Sequence, residues 1–246
     1  MKVFVVNLAR REDRRARMEE ILPASWDVEF TTHWPGPLDG AAIQPGDLRG
    51  LGLFPWQIDS PNIWWSRPLK LGEIGCALSH WSIWKRAAEL GSQLTLVLED
   101  DVELRADIES ALPAGIARLQ ALDPGWHLAY LGRRPLEPAS DEPVAPGFVR
   151  PAYSYRTFAY LLSIRGVTEL LSVDYEQDII PVDELLPALY IPHPRADVRR
   201  RYQPRLSAYA FEPPLATQLP KEMAGSDTEA TSFADPDHAR EYAARS

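Results

Sequence analysis

The chain of 246 residues contains one cysteine, Cys76, so it forms no internal disulfide and fits a reducing compartment. It also lacks a net positive charge. The balance of 35 acidic against 26 basic residues gives a formal net charge of −9, which argues against non-specific binding of nucleic acid. No apolar run approaches the ~20 residues needed to cross a bilayer. Asn7 and Arg10 break the first apolar run early, so a signal-peptide core is not expected. These absences point to a cytoplasmic protein, free or peripheral to a membrane surface. No Gly-x-Gly-x-x-Gly follows the first apolar run, which disfavours a dinucleotide fold of that kind, and no Gly-Lys-Ser/Thr follows any strand, so a P-loop is missing. There is no internal repeat.

What is present is an ordinary globular composition, 45% hydrophobic and 25% charged, in a length that supports one substantial core. Short apolar runs alternate with helical patterns. Residues 2–7, 28–32, 94–98, 126–131 and 156–162 read as strands. Residues 8–22, 71–90, 105–121 and 165–173 read as helices, and a further short helix follows Pro181. Alternation of this kind predicts an α/β fold with a mostly parallel central sheet flanked by helices. The 23 prolines cluster in 35–68, 135–151 and 181–220, which are expected to be loop-rich. A single domain over 1–232 is expected, followed by a polar tail at 233–246 that is low in apolar residues and partly disordered.

The organising stretch is 94–102, Leu-Thr-Leu-Val-Leu-Glu-Asp-Asp-Val. An unbroken apolar run reads as a strand buried on both faces. Glu99, Asp100 and Asp101 then fall where it ends, at the sheet edge where open α/β folds bind ligands. Adjacent carboxylates in a buried place repel one another and lose hydration. A hard divalent cation relieves both problems. The plain alternative is an acidic turn before a helix at 103–112. Asn7 and Arg10 follow the first strand in a geometry suited to phosphate, with Arg11, Arg14 and Arg15 nearby. The alternative for the arginines is a solvated face paired with Glu12, Asp13, Glu19 and Glu20. Segment 33–68 carries Trp34, Trp56, Trp64 and Trp65, which either stack on a sugar or base or pack a loop without secondary structure. Ser79 and His80 have no acidic neighbour in sequence, so a hydrolase triad is weakly supported. Cys76 reads as a small core residue. Asp183 and Glu184 sit in a first helical turn, where the helix dipole alone favours acids.

Several motifs in order resemble glycosyltransferase family 25, which includes lipooligosaccharide and procollagen galactosyltransferases. They are Val5-Val-Asn-Leu-Ala-Arg-Arg-Glu-Asp-Arg, Gly72-Glu-Ile-Gly-Cys-Ala-Leu-Ser-His-Trp-Ser-Ile-Trp-Lys, Leu98-Glu-Asp-Asp-Val and Ala129-Tyr-Leu-Gly-Arg, then Tyr153-Ser-Tyr-Arg-Thr-Phe-Ala-Tyr-Leu-Leu-Ser, Pro181-Val-Asp-Glu-Leu-Leu-Pro, Arg205-Leu-Ser-Ala-Tyr-Ala-Phe-Glu-Pro-Pro and Ser226-Asp-Thr-Glu. They span about residues 3–230. The later motifs look more like the collagen-modifying branch, although Arg156 stands where that branch tends to carry an aromatic residue.

The resemblance implies a GT-A-like fold and transfer of a sugar, usually galactose, from a UDP-sugar to an acceptor hydroxyl of a peptide or glycan, with inversion. It implies Mn²⁺ or Mg²⁺ held by Asp101, with Glu99 as co-ligand or Glu99 and Asp100 in support. Asn7 and Arg10 would bind the nucleotide. Asp183 or Glu184 would be the base that inversion requires. Glu73, Ser79, His80 and Asp227 would line the site, and Tyr155 and Thr157 would touch donor or acceptor. Two other functions compete: a metal-dependent phosphoesterase or nucleotide-sugar hydrolase, and a nucleotide-sugar-binding module without catalysis.

Overall fold

The computed structural model describes residues 1–235. In chain order, β1 (Lys2–Val6) leads to α1 (Glu12–Ile21) and β2 (Asp27–Phe30). A long segment over 31–70 precedes α2 (Leu71–Glu89), which leads to β3 (Leu94–Glu99), β4 (Val102–Leu104) and α3 (Ile108–Leu122). Next come β5 (Leu128–Pro135), β6 (Glu142–Ala145), β7 (Phe148–Arg150), β8 (Ser154–Ser163) and α4 (Ile164–Leu171). The described chain closes with α5 (Val182–Ala188), α6 (Ala196–Arg201), β9 (Ala208–Phe211), β10 (Ala216–Gln218) and α7 (Lys221–Ala224).

One eight-stranded sheet, ordered β2-β1-β3-β8-β5-β9-β7-β6, forms the centre. Six of its strands point one way, and β8 and β7 point the other. The α/β class read from the alternation is therefore the observed one. The direction of β8 matters for the site. Because β8 runs against β3, with Leu98 opposite Ala159, its amino end lies beside the carboxyl end of β3.

The unbroken apolar strands are explained by two covered faces. Phe4, Val97, Tyr130 and Tyr160 face a core made with α2, α4 and α5. Their neighbours Val3, Val5, Leu96, Leu98, Ala129 and Leu161 face a second core that includes Met18 of α1 and Leu112 and Leu119 of α3. With period-2 side chains, a strand that is apolar at every position must be covered on both sides. Each such side chain contributes roughly 1.5–3 kcal/mol by leaving water.

Three sequence readings change. The Pro-rich segment 135–151 contains a hairpin, β6 with β7, rather than only loop. Proline is tolerated there because β6 is an edge strand. No helix starts at 103: β4 pairs with β10 first, an antiparallel partner more than a hundred residues away that local periodicity does not reveal. The domain also does not end at 232. Phe233 bridges to Lys70, and Ala234 is buried with its N–H on the Leu69 carbonyl. The remainder of the expected tail, 236–246, lies outside the described residues.

Candidate active site

The carboxyl end of β3, the amino ends of α2, β8 and α5, β10 and the segment after α7 surround a cleft of about 320 Å³. Glu99, Asp101 and Asp183 line it, together with Glu73, Cys76, Tyr155, Arg156, Gln218 and Asp227. Carboxylates far apart in sequence are thus brought to one wall by β8. The stretch of β5 from Gly132 to Arg134 faces the longer stretch of β8 from Ala159 to Tyr155. In this bulge Arg156 has φ 67°, a left-handed conformation rare for arginine. Bulges of this kind re-aim side chains near sites. Here Thr157 donates to Asp183 Oδ1 at 2.9 Å, and Glu99 Oε1 lies 3.3 Å from the same hydroxyl.

The four acidic residues read from sequence as catalytic or metal-binding separate into distinct environments. Burial, then the charge of Asp100, pushes the Glu99 pKa up to about 7. Burial, then the charge of Glu99, pushes Asp101 and Asp183 each up to about 6. Asp101 accepts both its hydrogen bonds from the Gln218 amide, at 3.0 and 3.1 Å, and Gln218 in turn accepts from Arg156 at 2.9 Å. Among the described residues, none of these three carboxylates is in ion-pair contact with Lys or Arg. Glu184 is different. It accepts from Trp65 Nε1 at 2.9 Å, from Tyr155 at 3.3 Å, from the Tyr153 hydroxyl and from His193 at 2.9 Å. Burial alone would raise its pKa, but the bonds from His193, Tyr153 and Trp65 hold it below the usual range. Its lone pairs are occupied, so it has no capacity left to take a substrate proton. Asp183, with fewer partners, keeps acceptor capacity toward the cleft.

Other sequence-read site residues are engaged elsewhere. Asp100 is buried between Arg14, at 2.6 Å, and the Asn7 amide, at 2.8 Å, and borders a smaller pocket of about 90 Å³ with Asn7 and Ser79. Asn7 bonds Asp100, the Arg11 carbonyl and the Thr32 hydroxyl and so holds the turn after β1. Arg10 pairs with Asp39 at 2.8 Å and with Asp227. Asp227 also accepts from Arg11 at 2.6 Å, with Arg14 at 3.5 Å. Ser79 turns its hydroxyl back onto the Gly75 carbonyl at 2.8 Å, the common fate of a mid-helix serine. His80 is fully buried, behind the cleft wall. Glu73 lies in the wall but is held by Arg67 through both oxygens and caps α2 through the Lys70 N–H.

Sequence reasoning missed Gln218, the bulge at Arg156, and the Tyr153–His193 cage of Glu184. Each depends on β8, β10 or the segment after α5 reaching the cleft, and none has a local signature. Of the loop tryptophans, Trp56 is buried, Trp34 packs edge-on against Phe4, and Trp65 serves Glu184. Trp64 is partly exposed at the cleft, under the Arg67 guanidinium.

An open α/β sheet with a carboxylate-rich cleft at its strand ends defines the broad class, an α/β domain built to hold a ligand at that edge. Comparison with known proteins then fixes the family. The profile of "Glycosyltransferase family 25 (LPS biosynthesis protein)" matches residues 41–130, which include α2 and β3. The chain is 36% identical over 97% of its length to human "Inactive glycosyltransferase 25 family member 3", and covers 40% of that protein. It is 34% identical over 95% of its length to human "Procollagen galactosyltransferase 2" and to zebrafish (Danio rerio) "Procollagen galactosyltransferase 1", covering 38% and 39% of them. The chain belongs to glycosyltransferase family 25. It spans about two-fifths of the length of these relatives. A mannose-1-phosphate geranyltransferase of Thermus thermophilus superposes on 85% of the chain and 72% of its own at 13% identity, with a TM-score of 0.39, too loosely to bear on function.

Proposed function

We propose that this chain is a catalytic glycosyltransferase domain that moves a hexose, galactose first among candidates, from a UDP-sugar to a hydroxyl of a peptide or glycan with inversion. The observation that carries the reading is the convergence of Glu99, Asp101 and Asp183 on one cleft with no Lys or Arg ion-paired to any of them among the described residues. Three partly buried carboxylates so placed suit a reaction in which a cation and a proton must both be accepted there.

Asp101, with Glu99, fits Mn²⁺ or Mg²⁺. The donors are hard oxygens, and such ions are commonly held by one or two carboxylates, with phosphates completing the shell. The ion would supply charge neutralisation for the departing diphosphate. Gln218 fixes the Asp101 carboxylate. Asp183 takes the acceptor proton. The acceptor oxygen forms a bond to the anomeric carbon as the bond from that carbon to the diphosphate breaks, and UDP leaves. Burial raises the Asp183 pKa to about 6, which makes it a stronger base than an exposed carboxylate. Thr157 orients it.

The test is UDP release from UDP-galactose with Mn²⁺, with and without a hydroxylysine-containing peptide or a glycan acceptor. Acceptor-stimulated release that falls about 10²–10⁴-fold in Asp183→Asn, with UDP affinity kept, supports the reading. Release indifferent to acceptor points to a hydrolase. The name of the human family member 3 favours a second reading, a domain that binds nucleotide-sugar without turning it over. Binding without release of UDP under any acceptor would establish it.

A further inference from the structure

The geometry points to a second metal site, of mixed sulfur, nitrogen and oxygen character, formed by Cys76, His80 and Glu99 on the inner wall of the cleft and suited to Zn²⁺. Cys76 and His80 lie four residues apart on α2, so their side chains sit one above the other on the same face. Glu99 ends β3 opposite them. One ligand atom from each lies within 4.8 Å of the other two. Among the described residues this is the set of three His, Cys, Asp or Glu side chains gathered that closely.

A separate observation calls for an occupant. His80 is fully buried, yet its Nε2 has no hydrogen-bond partner. Glu99 Oε1 is 3.6 Å away, beyond a hydrogen bond. Buried polar nitrogens without a partner are rare and costly. The other ring nitrogen, Nδ1, is 2.8 Å from the Tyr160 hydroxyl, which Trp84 Nε1 also approaches at 3.0 Å. An outer partner of this kind orients a metal-ligating imidazole and leaves Nε2 to the ion. Cys76 and Glu99 line both the main cleft and a smaller pocket of about 90 Å³, so an ion has a way in.

Thiolate, imidazole and carboxylate together select a borderline ion such as Zn²⁺ over Mg²⁺. The site is therefore distinct in chemistry from the oxygen position at Asp101, but the two share Glu99. Zinc bound here would engage the carboxylate that the oxygen position at Asp101 also needs. Cysteine ligates as the thiolate, so binding releases the Cys76 thiol proton to solvent. Zinc at this position is expected to oppose Mn²⁺ at the other.

The test uses the full chain without a histidine tag, titrated with Co²⁺ as a spectroscopic probe and then with Zn²⁺. One equivalent of Co²⁺ should give a thiolate-to-cobalt charge-transfer band that Zn²⁺ abolishes. Cys76→Ser should remove the band and weaken Zn²⁺ binding at least ~10-fold. Asp101→Ala should keep the band. Since Cys76 is the sole cysteine, a second reading needs no variant: Zn²⁺ should slow alkylation of the wild-type thiol by iodoacetamide. Cobalt bound without a thiolate band, a band lost in Asp101→Ala, or alkylation indifferent to Zn²⁺ would each overturn the site.

Discussion

Asp183 and Glu184 stand side by side at the start of α5 and meet opposite surroundings. Glu184 is closed in by Trp65, Tyr153, Tyr155 and His193, while Asp183 accepts from the Thr157 hydroxyl and the Arg156 backbone N–H. Removing Glu184 strands several buried donors at once, and each costs about 1–3 kcal/mol. Glu184→Ala is expected to destabilise the protein by about 3 kcal/mol or more in urea unfolding, with Glu184→Gln milder. A Glu184→Ala variant of unchanged stability that had lost activity would reverse the assignment. Glu99 makes a prediction in pH. Its folded pKa of about 7 lies above the ordinary 4.5, so the folded chain holds this proton more tightly than the unfolded chain. The associated stability is complete below about pH 4.5 and is lost as pH rises through about 7. In EDTA, Glu99→Gln should therefore gain on wild type as pH rises from about 5 to about 8, by up to about 3 kcal/mol. Thermal melts at the two pH values would measure it, and a constant gap would remove Glu99 from the buried-acid set.

α2 is the element on which the site is assembled. Its first turn takes the chain from two directions. A Cβ on Gly75 would lie 2.5 Å from the Leu38 carbonyl oxygen, and one on Gly72 would lie 2.6 Å from the Thr228 Cα. The loop over 31–70 and the segment after α7 thus rest directly on helix backbone. The same segment carries Asp227 to Arg10 and Arg11 and places Lys70 Nζ on the Glu229 carbonyl at 2.5 Å. Gly75→Ala should gain up to about 1 kcal/mol of helix propensity. It should lose more, roughly 1–3 kcal/mol, because a backbone carbonyl must move. A lower melting temperature is expected, and a higher one would show that the loop yields freely. β8 is the second organising element. The α/β alternation was readable, but its reversal between β3 and β5 was not, because direction within a sheet follows from partners far along the chain.

At the scale of the molecule, the ligand edge carries acids on one side, Glu99, Asp101 and Asp183, and arginines already matched to acids on the other, Arg10, Arg11 and Arg14. With a net charge of −9, a bare diphosphate is not attracted by the molecule as a whole. Donor binding is accordingly expected to need the cation. UDP-galactose with Mn²⁺ should raise the melting temperature, by the equivalent of about 2.7 kcal/mol at about 100 times its Kd, and UDP-galactose with EDTA should not. An equal shift in EDTA would argue for direct recognition by the arginines. Among the described residues no helix is long and apolar enough to cross a membrane.

The sequence alone determined the α/β class, most strand and helix positions, and the acidic stretch at a strand end, because these rest on local periodicity and on charge placed where burial should stop. Its ordered motifs also carried the family. Tertiary structure decided which acids share a cleft and which are already satisfied. Asp100 and Asp101 are adjacent, yet Arg14 takes the first and Gln218 the second. That division depends on hydrogen-bond partners and burial supplied by β8, β10 and the 31–70 segment, long-range contacts that no local pattern encodes.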